Sequence, residues 1–470
     1  MSAARRALAD GGGRGSHRPA VVAHDIWLAS GLETVLPETV LICLQRSSAV
    51  DELRDRGIEV FCLSEHTNPA DVAAGSSADL IEHPATIRFC QRVGPLAMMT
   101  FKPSERFEKS AGNVPGFVIG GGRRQLTAAR SFENKLNFVE IARSAGLPTP
   151  RWEKVGLDDL ADHGALVARF GPRMVVQGAR GNAGQRTWMV SGPADLAHVR
   201  RREAGPTVRV AELVDGMPFT VNAVAGAAGL LDWSLPSRQV TGIPWLTPHQ
   251  LGSCGNAWGE PTLEPRLLDI GVAVGRVGAA LGEAGFEGLF GVDFVLGADG
   301  PVVIETNPRM VASLPLATQV ELSAGVAPLL LQHLLAGLGA AHPSGDVVAG
   351  SVSASDAPRP VPAHIAGHVT GPEPLPPASQ VIVHRLEKAP NTRSNAVSGV
   401  YRLGGDTPRL LRPGAWLTDL TGAPDEALVL VREAREPITP GREFARIYMH
   451  GAEAERTAGL RDLVGFLRRP

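Results

Sequence analysis

The sequence predicts a multi-domain protein of mixed α/β and α+β architecture. Three observations carry that expectation. Strand-like and helical runs alternate from Val35 to about Thr127. A β-hairpin signal bearing carboxylates lies at Gly291–Met310. A tail with several β-like runs follows a break rich in Gly, Pro, Ser and Ala. At the usual ~150 residues per domain, 470 residues make about three domains. We place a disordered head at 1–18, an α/β domain at 19–130, a central domain at 131–340, a linker at 341–378 and a small β-rich domain at 379–470.

Composition narrows the class. A net charge of -2 gives no case for a nucleic-acid or membrane-surface partner. Hydrophobic residues make up 44% of the chain, as in soluble globular proteins, and no apolar run reaches the ~18 residues of a membrane span. Met1–His17 is rich in Arg and Gly without a hydrophobic core, so it does not read as a secretory signal. The four cysteines, Cys43, Cys62, Cys90 and Cys254, form no C-x-x-C pair and read as reduced thiols, which points to a cytoplasmic protein.

The elements follow in order. Thr39–Leu44 reads as a strand, Ser48–Arg56 as a short amphipathic helix and Ile58–Leu63 as a second strand, a βαβ pattern that implies a parallel sheet. Phe117–Ile119 reads as the last strand of that sheet. The following glycines do not form G-x-G-x-x-G after a first strand, which excludes a dinucleotide fingerprint. Ser131–Gly146 reads as a helix with Ser131 as N-cap and Gly146 at its C-terminal end, because Leu136, Val139 and Ile141/Ala142 recur at helical spacing. Met174–Val190 reads as two strands joined by a glycine-rich loop, Gly178–Thr187, whose backbone N–H groups can approach an anion. Val208–Val224 reads as strand, turn, strand. Pro236–Gly259 reads as a polar loop-like insertion containing Arg238 and His249. Leu267–Ala284 is an apolar helix, and Ala312–Leu338 contains another. In the tail, Val381–Val383, Gly399–Tyr401, Leu428–Val431 and Arg446–Tyr448 are β-like, Lys388–Asn395 is a basic polar loop, and Glu455–Arg469 reads as a closing helix.

The hairpin at Gly291–Met310 carries the chemistry. A two-residue loop at Ala298-Asp299 sets Asp293 opposite Ile304. A three-residue loop ending on a left-handed Gly300 sets Asp293 opposite Glu305, and glycine at that third position favours the second arrangement. Strand alternation then puts Asn307 on the face of Glu305. Two carboxylates and an amide on one face make a set of hard oxygen donors suited to Mg²⁺ carrying nucleotide phosphates.

The pattern D-x11-E-x-N-P-R across this hairpin resembles the metal-binding end of the ATP-grasp superfamily. The resemblance implies an ATP-grasp fold with an α/β domain before the nucleotide domain. It implies Asp293, Glu305 and Asn307 as Mg²⁺ ligands, with Arg309 near the γ-phosphate or acyl-phosphate. Arg238, in the polar insertion, is the second candidate catalytic arginine. Asn134-Lys-Leu136 followed by Ala145-Gly-Leu-Pro-Thr-Pro150 is similar to that superfamily's first helix and implies that Lys135 reaches a phosphate. The glycine-rich hairpin is similar to its phosphate-covering loop, which makes Gly181 and Gly184 nucleotide contacts. Many members end the preceding strand on lysine. This chain has Gln177 there, and Arg180 or Arg186 is the expected source of the missing charge. Glu212, Leu213 and Val214 match the adenine hinge, and Asn222 on the next strand faces the phosphates or the metal. Met217-Pro218-Phe219 follows the hinge where relatives often carry an acidic residue, so the ribose contact is unassigned.

The chemistry so implied is ATP-dependent activation of a carboxylate as an acyl-phosphate, followed by attack of an amine. There is no G-x-S-x-G nucleophile motif and no P-loop motif. The layout resembles the peptide ligase family of pheganomycin biosynthesis, which implies an amino-acid-like carboxylate and a peptide nucleophile in natural-product biosynthesis. A dipeptide or small-amine ligase, a carboxylate kinase-like enzyme and an inactive nucleotide-binding scaffold stay open, as does a homodimer.

Overall fold

The structure, a computed structural model, describes residues 16–67, 76–339, 377–386, 396–404, 407–433, 441–451 and 459–468. Most of the expected disordered head, most of the expected linker and the Lys388–Asn395 loop lie outside the described residues. No helix among the described residues is long and apolar enough to cross a membrane.

The first sheet is parallel, as the βαβ pattern requires. It comprises β1 (Arg18–Ala23), β2 (Val40–Cys43), β3 (Glu59–Cys62), β4 (Leu96–Thr100) and β5 (Gly116–Val118), in the order β3-β2-β1-β4-β5. Its central strands are buried on both faces, which explains their continuous apolar runs. The helix Ser48–Asp55 begins where Ser47 caps it by accepting the Ala49 N–H.

The second sheet is antiparallel: β6 (Trp152–Gly156), β7 (Met174–Gln177), β8 (Thr187–Val190) and β9 (Thr207–Glu212), in the order β6-β9-β7-β8. The third sheet has 11 strands. It takes in β10 (Met217–Gly226), β11 (Gly229–Trp233), β12 (Ser237–Thr241), β13 (Ser253–Ala257), β14 (Gly288–Gly297) and β15 (Gly300–Asn307). It continues through β16 (Ala378–His384), β17 (Gly399–Arg402), β18 (Arg409–Arg412), β19 (Glu426–Val431) and β20 (Glu443–His450). The bridge between its two halves is β13 pairing with β16, Gly255 opposite Val381. The C-terminal strands therefore extend the central sheet.

Two local expectations are corrected here. Pro236–Gly259 is not a loop throughout: β12 and β13 run through it. Their buried residues include Ser237, Asn256 and Gly255, so the hydrophobic alternation of a half-buried strand is missing. The helix expected from Ser131 begins at Lys135. The chain is already helical over Arg123–Glu133, breaks at Asn134 in extended conformation, and restarts with the Asn134 side chain accepting the Leu136 and Asn137 N–H groups. Asn134 is the true N-cap.

Polar pairs tie the first sheet to the C-terminal strands. Arg432 forks onto both oxygens of Asp25 at 2.9 and 2.6 Å, and Trp27 Nε1 donates to Glu443 at 2.9 Å. Burial pushes the Asp25 carboxyl up, but Arg432 and His24 outweigh it and hold it far below the usual range.

Candidate active site

Asp293 lies directly opposite Glu305, the register expected, but the device differs. The loop is the two-residue one, with Gly297 paired to Gly300. An extra residue, Ile304, is inserted as a β-bulge between Val303, opposite Phe294, and Glu305. Gly300 has φ +122, a conformation that glycine adopts at low cost. On the other side of β14, Thr220 of β10 stands opposite Asp293. The three strands thus line up Thr220, Asp293 and Glu305 on one face, while Phe219 and Phe294 stack 4.8 Å apart on the other.

The carboxylates are held from several sides. Thr220 Oγ1 and Gln239 Nε2 donate to Asp293 Oδ1 at 2.6 and 2.7 Å. Asn307 Nδ2 reaches Asp293 Oδ2 at 3.2 Å and Glu305 Oε1 at 3.5 Å. Lys135 Nζ pairs with Glu305 Oε2 at 2.7 Å and donates to the Gly181 carbonyl at 3.3 Å. The first turn of the helix Lys135–Ser144 therefore brings its lysine to the hairpin and to the glycine-rich loop together. Burial and the facing Glu305 push the Asp293 carboxyl up. Burial also pushes on Glu305, but Lys135 outweighs it and holds that carboxylate low.

The glycine-rich loop closes over this lysine, with Lys135 N–H donating to the Ala179 carbonyl at 2.9 Å. Gly184 has φ +82, and a Cβ there would meet Gly252 Cα at 2.5 Å, so the loop lies flush against the turn between β12 and β13. Gly181 is as tight: a Cβ would meet the Gln185 carbonyl at 2.2 Å. The expected source of charge is corrected. Arg186 pairs with the buried Glu203 through Nε at 3.0 Å and through Nη2. Arg180 is exposed. The cation beside Gln177 is Arg209, directly opposite it on β9 and 1% exposed. Its signal in the sequence was an arginine between two strand valines, Val208 and Val210.

The hinge residues end β9. The Glu212 carboxylate accepts from Arg151 N and Nε at 2.8 and 2.7 Å. The Glu212 and Leu213 amides already donate to the Arg151 and Arg173 carbonyls. Val214 is half-buried beside them. Asn222 shares the face of Thr220, but its carboxamide oxygen accepts from Ser313 Oγ at 3.0 Å. Arg309 is fixed beside the carboxylates: Nη2 donates to Asn307 Oδ1 at 3.0 Å and Nε to Glu133 Oε1 at 2.8 Å. Arg238 is not in the cluster. It stands opposite Phe219, on the far face, 3.5 Å from Glu260. Its neighbour Gln239, which the sequence did not single out, is the β12 residue that reaches Asp293.

The donor set fits a hard divalent cation in part. Among the described residues no three His, Cys, Asp or Glu side chains cluster. A cation at the hairpin would take Asp293 and Glu305 and complete its shell with the Asn307 oxygen, phosphate or water, the habit of Mg²⁺. Asn307 now turns its NH2 to the carboxylates and its oxygen to Arg309. A cation between the carboxylates favours the opposite orientation.

Comparison with known proteins bears on the fold. The ATP-grasp domain family matches residues 132–313. No curated protein matches the chain. Among solved structures, the biotin carboxylase domain of Hydrogenobacter thermophilus 2-oxoglutarate carboxylase, in complex with MgADP and bicarbonate, is similar with a TM-score of 0.58 and 12% identity, over 93% of this chain and 86% of that one. Carboxyaminoimidazole ribonucleotide synthase from Aspergillus clavatus, complexed with ATP, matches with a TM-score of 0.53 and 14% identity, over 96% and 99%. An L-amino acid ligase from Bacillus licheniformis matches with a TM-score of 0.51 and 14% identity, over 93% and 94%. The chain has the ATP-grasp fold, with its ATP-grasp domain over residues 132–313.

Proposed function

We propose that this chain is an ATP- and Mg²⁺-dependent carboxylate–amine ligase that couples an amino-acid-like carboxylate to the amine of a peptide through an acyl-phosphate, in the cytoplasm. One observation carries the reading: Asp293 and Glu305 oppose each other beside Asn307, with Lys135 paired to Glu305 beneath a glycine-rich loop. Similar folds bind ADP with magnesium, and one is an amino acid ligase. Bound Mg²⁺ would neutralise charge on the phosphates as the γ-phosphoryl group moves.

The chain's own residues do the rest. Lys135, tethered at both ends of its reach, meets phosphate under the loop. Gly181 and Gly184 let the loop backbone come close. Arg309, braced by Glu133, stands beside the carboxylates where a transferring phosphoryl group or the substrate carboxylate would carry charge. Burial pushes Glu133 up, but Arg309 and Lys102 hold it low, so it stays an anion that orients Arg309. Catalysis of this kind is positioning plus electrostatics.

The test is ADP release with Mg²⁺ and ATP, first with single amino-acid-like carboxylates and then with added di- and tripeptides, products read by mass. Turnover that needs the peptide and yields a new amide supports the reading. Amide formation with free amino acids but not peptides replaces it with a dipeptide ligase. ADP formed with carboxylate alone, unchanged by any amine, replaces it with a kinase-like activity.

A further inference from the structure

Arg209 is a fully buried cation in a strand between two apolar cores, and it bridges two sheets. Nε donates to Gln177 Oε1 at 3.1 Å, and Nη2 donates to the same oxygen. Nη1 donates to the Ile304 carbonyl at 3.0 Å. Its guanidinium lies 4.4 Å over the Trp152 ring. Ile304 is the extra residue of the bulge that sets Glu305 opposite Asp293. A bulge leaves a backbone group without its ladder partner, and here Arg209 supplies one.

The effect on Gln177 is as specific. Gln177 ends β7 and is 6% exposed, at the foot of the loop that covers Lys135. Its oxygen is occupied twice, so the amide cannot turn over. What is left is the nitrogen, whose one other bond, to Thr187 Oγ1, is long at 3.4 Å. Gln177 is thereby a donor only, and its ligand group must be an acceptor.

We infer that Arg209 is a positioning residue of the nucleotide site: it locks Gln177 as a donor toward a nucleotide acceptor atom and holds the Ile304 bulge that aims Glu305 at Asp293. The nucleotide half rests on the function proposed above. The clamp on the bulge does not. Burial lowers the guanidinium to about 10, which leaves it charged at neutral pH.

Three variants test this: Arg209→Met, Arg209→Lys and Gln177→Glu. The readouts are MgADP affinity, Mn²⁺ affinity of the ADP complex, and amide hydrogen exchange of the ligand-free protein in the peptide covering Val302–Asn307. Arg209→Met should speed exchange there and weaken Mn²⁺ about 10–100-fold, the usual effect of removing a group behind a metal ligand. Arg209→Lys keeps charge but not the fork. It should recover melting temperature and leave Mn²⁺ affinity at least about tenfold low. Gln177→Glu keeps an oxygen for Arg209 and loses the donor, so exchange at the bulge stays as in the wild type while MgADP affinity falls. Wild-type affinities and wild-type exchange in folded Arg209→Met overturn the inference. A wild-type protein that binds no MgADP refutes the proposed function instead, and exchange alone then decides the clamp: faster in Arg209→Met supports it, unchanged overturns it.

Discussion

Replacing Lys135 with methionine separates its two roles. The substitution keeps most of the stem and removes the charge 2.7 Å from Glu305. At an effective dielectric constant of about 20, that attraction is on the order of 6 kcal/mol before desolvation. Removing one partner of a buried pair costs about 3–5 kcal/mol in practice. Glu305 keeps some solvent and the nearby charge of Arg209, so the low end, about 3 kcal/mol, is the expected loss. The loss comes from two carboxylates left facing each other, so a divalent cation should remove it. Urea unfolding without metal should show Lys135→Met less stable by about 3 kcal/mol, and millimolar Mg²⁺ should recover most of that. Calorimetric titration should show Mn²⁺ binding to the ligand-free variant at least as tightly as to the wild type, while ADP affinity drops tenfold or more, about 1.4 kcal/mol. Equal metal-free stability within 1 kcal/mol, or loss of Mn²⁺ binding without nucleotide, would refute the reasoning.

Two other variants test the frame around the site. Asp25→Asn breaks the buried pair with Arg432 and should cost about 3–5 kcal/mol at pH 7 by urea unfolding. The folded-state pKa of Asp25 is lowered, so its contribution is present above the unfolded value of 3.8 and disappears as pH falls through the folded one; wild type and variant should converge in acid, and a pH-independent gap would count against the pair. Gly184→Ala puts a side chain at φ +82 against Gly252. The left-handed penalty of roughly 1–2 kcal/mol and the backbone clash together should displace the loop and raise the KM for MgATP about tenfold or more, with a melting temperature lowered by several degrees. An unchanged KM would show that the loop does not cover nucleotide.

Much of the site was legible because its key pairing is local. Asp293, Glu305 and Asn307 lie on one hairpin, and strand alternation alone assigns their face. The sequence did not show which residue bulges. Gly300 announces an unusual backbone angle, but the inserted residue is Ile304, whose carbonyl is satisfied by Arg209, distant in the chain. The cap at Asn134 was hidden because Ser131 is an equally good cap residue and lies inside a helix that runs on from Arg123. β12 and β13 lack an apolar strand signature because their buried side chains are polar and bond across strands: Asn256 donates to Ser237, and Gln380 of β16 donates to Asn256. Arg238 was the candidate by its charge, but the pairing of β12 with β10 sets it opposite Phe219 and leaves Gln239 to reach Asp293. Joining of the C-terminal strands to β13 is a long-range pairing with no local signature.

The most direct test is the metal dependence of ATP turnover in the wild type beside Glu305→Gln, a near-isosteric change that removes one of two opposed charges. With Mg²⁺, ATP, a productive carboxylate and an amine, ADP release in Glu305→Gln should fall by at least two orders of magnitude, as on losing about 3 kcal/mol of transition-state stabilisation. The substitution relieves the repulsion with Asp293 but leaves the buried Lys135 without its carboxylate, so melting temperature should fall, and activity is compared at a temperature where the variant is folded. ADP release unchanged by the substitution would contradict the assignment of the hairpin as the metal site.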